Sequence, residues 1–337
     1  MKMLNVVVTA PSSQFGLGLG ERNMKKIAAV SPQINLKDAS VLFTEEQKGD
    51  FSHKKDLDAL LSAAEVIIAR ALPANVIKRA LKLKWIQMTY AGMERVVQDK
   101  ELVESPVKLT NASGIQAEAI SEYVITLMLC FDKHVPTFAQ LKREKKWQPI
   151  TMVGLASQTV GVLGLGNIGK NIVKRAKALG MHVIAYDRPR RIMRAQYVDK
   201  FVTGPQIADI FKESDFVVSA LPSTPQTAGL IGEKELRMMK PSAYLINISR
   251  GAVVNEAALV RALEEKWIAG AGLDVFAIEP LPKESKLWDF PNTILSPHCC
   301  GRLDDNDDRV TDMFCDNLKR YLAGKRLLNQ VDKKKGF

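Results

Sequence analysis

A glycine-spaced turn between an apolar strand and a helix limits the fold of this chain more than any other stretch. The β-branched run 160–163 predicts a buried strand, and 170–179 repeats apolar residues at helical spacing. Gly164 suits a tight turn, Gly166 lets backbone amides approach a pyrophosphate, and Gly169 lets the helix pack closely on the strand. The stretch therefore predicts a strand, a turn and a helix whose N-terminus favours a phosphate.

An acidic residue strengthens this interpretation. Asp187 ends the next predicted strand, 181–186, close to the roughly 20 residues after the glycines at which a carboxylate meets the adenosine ribose. Asp187 favours NAD, because its charge repels the 2′-phosphate of NADP. Arg188 follows, with further arginines at 190, 191 and 194, and this cluster would neutralise such a phosphate if the loop folded back. The sequence thus predicts NAD as the cofactor and leaves NADP open.

Composition excludes several classes of protein. With 337 residues, 46% of them hydrophobic, the chain has enough apolar material for two domains. It lacks both an apolar run of about 18 residues and a signal-peptide profile, so we expect a cytoplasmic protein without a membrane segment. The net charge of +11 comes from scattered basic residues without interleaved aromatics, so no nucleic acid is expected. Four cysteines without CxxC spacing predict reduced thiols and no metal site.

The order of the predicted elements indicates two α/β domains. Strands and helices alternate over 1–105, which predicts a small parallel sheet, and the glycine-rich run 16–20 is interpreted as a flexible surface loop. A helix over 117–145 leads into a doubly wound sheet of about seven strands. A final helix, 308–322, is expected to return to the first domain. The prediction is a flavodoxin-like α/β substrate-binding domain, 1–105 with 300–337, and a dinucleotide-binding Rossmann domain, 106–299.

Three reactive side chains follow strands of the doubly wound sheet, where such sheets bind their ligands. Arg250 comes after the strand predicted over 244–248, and Glu279 and His298 come after the next two. They would provide an anion clamp, an orienting carboxylate and a proton donor, which are the groups needed for hydride transfer to a carbonyl beside a carboxylate. Singly, each also fits an ordinary surface role. The turn over 90–93 could bind a carboxylate through its amides, but on its own an ordinary loop is favoured.

The chain resembles the D-isomer-specific 2-hydroxyacid dehydrogenase family over nearly its full length. The motifs that carry the resemblance are, in chain order, Ala91-Gly92, 160–187, 221–227, 245–251, 272–282, Leu287-Trp288 and 297–301. It implies an enzyme that interconverts a 2-oxo acid and the D-2-hydroxy acid with NAD or NADP. It also implies a homodimer formed through the nucleotide domain.

The resemblance assigns roles by position. Arg250, Glu279 and His298 match the catalytic residues, with His298 as acid and base, Glu279 as its partner and Arg250 as the substrate clamp. The carboxylate-binding turn is Tyr90, Ala91, Gly92 and Met93. The cofactor contacts are Gly164, Gly166, Asn167, Ile168, Gly169, Asp187, Arg188, Leu221, Pro222, Thr227, Ile248 and, for the nicotinamide carboxamide, Asp274. Asn111 and Glu122 fall in stretches similar to the hinge region.

Other functions remain to be separated from this one. A formate dehydrogenase-like reaction uses glutamine where this chain has Glu279, which speaks against it. The long form of phosphoglycerate dehydrogenase is not expected, because the sequence stops soon after the last predicted helix, whereas a short form stays open. A nucleotide-sensing corepressor-like binding protein on the same fold would keep the same three residues. Turnover of 2-oxo acids would distinguish the enzyme from that binding protein.

Overall fold

A computed structural model describes residues 3–10, 19–188 and 196–336. The chain forms two compact units. The first runs to Ile115 and resumes at Leu303, and the second is Gln116–Arg302. No helix in the described ranges combines the length and the apolar character that crossing a membrane requires.

The first unit is a five-stranded parallel sheet with helices around it. Its strands are β1 Leu4–Thr9, β2 Ile34–Asp38, β3 Val66–Ala69, β4 Trp85–Met88 and β5 Lys108–Thr110. Its helices are α1 Glu21–Ala28, α2 Ser40–Gln47, α3 Lys54–Ala63, α4 Val76–Arg79 and α5 Lys100–Glu104, together with the last helix of the chain, Asn306–Leu322. The strand order β2-β1-β3-β4-β5 is that of flavodoxin-like folds, as predicted.

The interior strand β1 is buried on both faces, which explains its apolar sequence. Val6 and Val8 belong to a core cluster that includes Phe314 of the last helix, whereas Val7 belongs to a cluster with Phe43. The Trp85 ring also lies 5.2 Å from that of Phe314, centroid to centroid. The last helix therefore packs on the first sheet, as predicted, because its apolar stripe completes one of the two core layers.

The C-terminal segment after that helix covers the edge strand β5. Gln330 forms an antiparallel bridge with Thr110, and Val331 N donates to Leu109 O at 2.8 Å. The Lys333 ammonium donates to the carbonyl oxygens of Leu102, Ser105 and Val107 at 2.8, 2.6 and 3.0 Å. This segment, 327–333, supplies the hydrogen bonds that an open sheet edge would lack.

The second unit is a seven-stranded parallel sheet, and it confirms the predicted Rossmann fold. Its strands are β6 Thr159–Leu163, β7 His182–Tyr186, β8 Lys200–Val202, β9 Phe216–Ser219, β10 Tyr244–Asn247, β11 Gly270–Leu273 and β12 Thr293–Leu295. Its helices are α6 Ala117–Asp132, α7 Val135–Arg143, α8 Asn167–Ala178, α9 Ile207–Glu213, α10 Glu233–Met238 and α11 Glu256–Glu264; the last helix of the chain is α12. The strand order is β12-β11-β10-β9-β6-β7-β8.

Two predictions about local structure need correction. The helix predicted over 117–145 is divided, because His134 adopts a φ of 53° and Pro136 lies in the first turn of α7. In the glycine-rich run 16–20, Leu19 is buried in the core of the first unit and Gly20 precedes α1, so this end of the run is not a surface loop. Gly16 and Gly18 lie outside the described residues.

The predicted domain boundaries also differ from the observed units. Residues 106–115 were assigned to the dinucleotide domain, whereas β5 pairs with β4 in the first sheet. Residues 300–302 were assigned to the first domain but belong to the second unit, where Gly301 packs against Ile120. Neither the short strand β5 nor the turn at 300–302 has a periodic pattern that would mark a domain boundary.

Candidate active site

The glycine turn has the close packing that its sequence indicates. Gly164 adopts a φ of 97°, and a Cβ there would lie 2.9 Å from Ala220 O. A Cβ on Gly169 would lie only 1.9 Å from Gly164 O. Gly166 precedes α8, which begins with Asn167 and Ile168. The turn has no room for a side chain at Gly164 or Gly169, and it leads into the N-terminus of α8. The positive end of the helix dipole at this turn favours the binding of a phosphate.

The carboxylate of Asp187 is held by backbone groups on both sides. Its Oδ2 accepts from Leu165 N at 2.7 Å and its Oδ1 accepts from Arg188 N at 2.6 Å. The residue is 8% exposed, whereas Arg188 is exposed. These bonds fix the acidic group at the end of β7, beside the glycine turn. The arginines at 190, 191 and 194 lie outside the described residues.

The loop 221–227 lies against the glycine turn and is organised by one hydroxyl. A Cβ on Gly164 would lie 3.2 Å from Leu221 Cδ2, which shows how near the loop is. Thr227 Oγ1 donates to Pro222 O at 2.6 Å and accepts from Thr224 N at 2.8 Å. The predicted cofactor residues Leu221, Pro222 and Thr227 are therefore brought together beside the turn.

Arg250 is presented by a polar turn after β10. Asn247 donates through Nδ2 to Arg250 O at 3.1 Å and accepts through Oδ1 from Ser249 N and Oγ at 3.2 and 2.8 Å. Ile248 is buried between them. A Cβ on Gly251 would lie 1.9 Å from Phe276 O, so this turn packs directly against the loop that carries Glu279. The sequence did not predict that Asn247 and Ser249 organise this turn, although both lie in the motif 245–251.

The structure brings His298 and Glu279 into contact, as predicted. His298 Nδ1 lies 2.8 Å from Glu279 Oε2, and Glu279 Oε1 accepts from Phe276 N at 3.1 Å. His298 adopts a φ of 50°, which is uncommon for a non-glycine residue, and its N donates to Asp274 O at 2.9 Å. With Nδ1 bonded to the carboxylate, Nε2 is the ring nitrogen that can exchange a proton with a ligand.

Asp274 is completely buried, with its two carboxylate oxygens in different surroundings. Oδ1 accepts from Ser296 Oγ at 2.6 Å, from Cys299 N at 2.9 Å and from Cys300 N at 3.1 Å. Oδ2 is buried, and the described residues provide it with no hydrogen-bond partner. A buried acceptor of this kind fits the amide NH₂ of a nicotinamide carboxamide, the contact that the resemblance assigns to Asp274.

Within the first unit, the turn after β4 is held by the chain that follows β5. Asn111 Nδ2 donates to Ala91 O at 2.8 Å, and Ala112 N donates to Tyr90 O at 3.1 Å. Gly92 follows Ala91 in the chain, and the Met93 side chain after it is buried. The predicted hinge residue Asn111 is thus a support of the turn. Glu122, the other hinge candidate, pairs with Arg175 of α8 at 3.2 Å.

Cys300 is expected to make the protein less stable in alkaline solution. Burial, with the neighbouring Asp274 carboxylate, raises the pKa of the Cys300 thiol well above its usual value. The unfolded thiol loses its proton near pH 9, so unfolding releases a proton and the free energy of unfolding falls with rising pH, by up to about 1.4 kcal/mol per pH unit. Denaturant unfolding of wild type and Cys300→Ala at pH 8 and pH 10 in reductant measures this slope. Equal slopes in the two proteins would contradict the assignment.

Comparisons with known proteins agree with the resemblance found in the sequence. The family model described as "D-isomer specific 2-hydroxyacid dehydrogenase, NAD binding domain" matches residues 125–300. A glyoxylate reductase of Korarchaeum cryptofilum is 34% identical over 290 residues, which cover 82% of this chain and 84% of the relative. One from Thermococcus litoralis is 35% identical over 293 residues, which cover 83% and 85%.

A solved structure extends the agreement to the whole chain. The D-isomer specific 2-hydroxyacid dehydrogenase of Xanthobacter autotrophicus Py2, in complex with NADPH and MES, is 26% identical with a TM-score of 0.83, and the match covers 100% of both chains. The matched family model is that of a dinucleotide-binding domain, and it spans the glycine turn, Asp187 and the pair of Glu279 and His298. The chain therefore belongs to the D-isomer-specific 2-hydroxyacid dehydrogenases, a family of NAD(P)-dependent enzymes.

Proposed function

We propose that the protein reduces a small 2-oxo acid to the D-2-hydroxy acid, with His298 as acid and base, Glu279 as its partner and Arg250 as the substrate clamp. The observation that carries the proposal is the 2.8 Å contact between His298 Nδ1 and Glu279 Oε2 at strand ends of a dinucleotide-binding sheet. The relatives named glyoxylate reductase make glyoxylate the first substrate to test.

Each residue has a defined task in this reaction. The nicotinamide dinucleotide, when bound, supplies the hydride. Glu279 holds the His298 ring through Nδ1, so Nε2 is left to donate a proton to the 2-oxo oxygen. Arg250 binds the substrate carboxylate by charge and hydrogen bonding. For the turn 90–93 of the first unit, carboxylate binding by its backbone amides is proposed.

A substrate panel tests the proposal. Glyoxylate, hydroxypyruvate, pyruvate and phenylpyruvate would each be offered with NADH and with NADPH, and oxidation followed at the nicotinamide absorbance band. We expect turnover of at least one acid, and the D-2-hydroxy acid as product from each acid whose reduction creates a stereocentre. Dinucleotide binding without turnover of any acid would instead favour the corepressor-like binding protein.

The same assay tests the proposed preference for NADH. The two backbone bonds to Asp187 keep its carboxylate at the end of β7, so its charge faces the region where the 2′-phosphate of NADPH would lie. We expect a higher kcat/KM with NADH, and Asp187→Ser should shift the ratio toward NADPH. A wild-type preference for NADPH of tenfold, equivalent to about 1.4 kcal/mol, would show that the arginines after Asp187 outweigh it.

We further propose a homodimer formed through the second unit. Apolar side chains are exposed from the end of α6 to residue 153, which is unusual for a monomer surface. The exposed residues are Leu129, Val135, Trp147, Met152 and Val153. Light scattering at micromolar concentration should give the mass of a dimer, and Trp147→Glu should weaken it. Leu81→Glu, at an exposed residue of the first unit, is the matched control; a monomeric wild type would refute the proposal.

The cytoplasm is the proposed location. All four cysteines are free thiols in the structure. Free thiols suit a reducing compartment. Fluorescence microscopy of a tagged chain in its native host would test this assignment.

A further inference from the structure

A line of three side chains runs from α6 to the buried carboxylate of Asp274. Tyr123 Oη donates to Ser296 Oγ at 2.7 Å, and Ser296 Oγ donates to Asp274 Oδ1 at 2.6 Å. Tyr123 lies on α6, Ser296 directly after β12 and Asp274 directly after β11. Burial raises the pKa of the Tyr123 hydroxyl, so this group keeps the proton that it donates.

The direction of these bonds follows from the carboxylate. Ser296 Oγ donates its one proton to the Asp274 carboxylate, so it must accept from Tyr123. With the amides of Cys299 and Cys300, Oδ1 receives three donors. These donors fix the rotation of the carboxylate and direct Oδ2, which has no partner among the described residues, to one position.

Asp274 is 0% exposed, and its Oδ2 has no hydrogen-bond partner among the described residues. Buried acceptor oxygens are normally paired, so we expect a ligand to supply the donor. The Cys300 thiol lies near this carboxylate, but a thiol is a weak donor. Asp274 is also tied to the proposed proton donor, because its carbonyl oxygen accepts from His298 N at 2.9 Å. The group that reaches Oδ2 would therefore be held beside His298.

We propose that Tyr123 and Ser296 are positioning residues that hold Asp274 so that Oδ2 accepts the amide NH₂ of the nicotinamide carboxamide. The inference rests on the proposed function. Neither residue need touch the dinucleotide, since both act through Asp274. Their loss should affect only ligands that carry the NH₂ donor.

The test compares two dinucleotides that differ at that donor. In the 3-acetylpyridine analogue of NADH, a methyl group replaces the NH₂ of the carboxamide. Tyr123→Phe removes the hydroxyl and keeps the ring, and it should raise the Kd of NADH about fivefold. The Kd of the analogue should stay within about twofold of wild type, because the analogue cannot donate to Oδ2. The KM of the 2-oxo acid should not change.

Tyr244→Phe is the matched control. Tyr244 lies in the same core, stacked on Phe131 with 4.3 Å between ring centroids, and its hydroxyl is not part of the line to Asp274. This variant should bind both dinucleotides as wild type does. A second pair of variants guards against a folding defect: Ser296→Ala should reproduce the selective loss, and Ser296→Thr, which restores a hydroxyl, should rescue it.

The outcomes separate the inference from the proposed function. The positioning role alone is overturned if the variants bind both dinucleotides equally more weakly. It is also overturned if Tyr123→Phe and Ser296→Ala change neither Kd while the wild type turns over 2-oxo acids. A wild type that binds neither dinucleotide overturns both. Selective weakening of NADH with rescue by Ser296→Thr supports the inference.

Discussion

Replacing His298 by asparagine is expected to lower kcat for the best 2-oxo acid by about 10²- to 10⁴-fold, the usual contribution of a general acid. Asparagine tolerates a left-handed backbone, so the variant keeps the φ of 50° that His298 adopts. It removes the ring nitrogen that donates the proton while leaving the dinucleotide-binding turn intact. Steady-state rates and an NADH titration measure the two effects separately.

His134→Asn is the matched control, because His134 also has a left-handed backbone, with a φ of 53°, at the junction of α6 and α7. This variant should keep wild-type activity. Glu279→Gln should lose less activity than His298→Asn, since the glutamine amide can still bond Nδ1 and the imidazole that donates the proton is kept. Near-normal turnover by His298→Asn would show that another group donates the proton.

Replacing Gly169 by alanine is expected to lower the free energy of unfolding by about 1–3 kcal/mol and to weaken dinucleotide binding at least about tenfold. The new Cβ would lie 1.9 Å from Gly164 O, so α8 must move away from the turn or the turn must change shape. Either change displaces the amides at the helix N-terminus from the phosphates. Urea unfolding and NADH titration measure the two losses.

Gly232→Ala provides the control in the same unit. Its new Cβ would lie no closer than 3.5 Å to Glu235 Oε2, an ordinary contact, and Gly232 also directly precedes a helix. This variant should cost below about 1 kcal/mol and leave binding unchanged. If Gly169→Ala behaved like Gly232→Ala, the close approach of α8 to the turn would not be needed for binding.

The sequence predicted the interior strands of both sheets but not all of the edges. β6, β9 and β10 consist mainly of buried apolar residues, and hydrophobic runs of this kind are readily recognised. β2 and β5 were missed, because edge strands such as Ile34–Asp38 and Lys108–Thr110 mix polar and apolar residues. The division of the helix at His134 was also missed, since apolar spacing continues past a single left-handed residue.

At the candidate site, the prediction succeeded where position along a strand determines function. Glu279 and His298 follow neighbouring strands, β11 and β12, so their contact could be anticipated. Tyr123 was not among the predicted site residues, although its hydroxyl bonds Ser296 from 173 positions away in the chain. Hydrogen bonds between distant segments leave no local pattern in the sequence, so only the three-dimensional structure reveals them.

The covered edge of β5 has a consequence for the order in which this protein folds during synthesis. The ribosome completes the second unit, Gln116–Arg302, before it makes α12 and the segment that bridges Thr110. Until then, the five-stranded sheet lacks one core layer and has an unpaired edge, whereas the seven-stranded sheet has all its strands. The second unit of the nascent chain should therefore fold before the first unit is complete. During translation, the incomplete first sheet is the part of the chain most prone to aggregate.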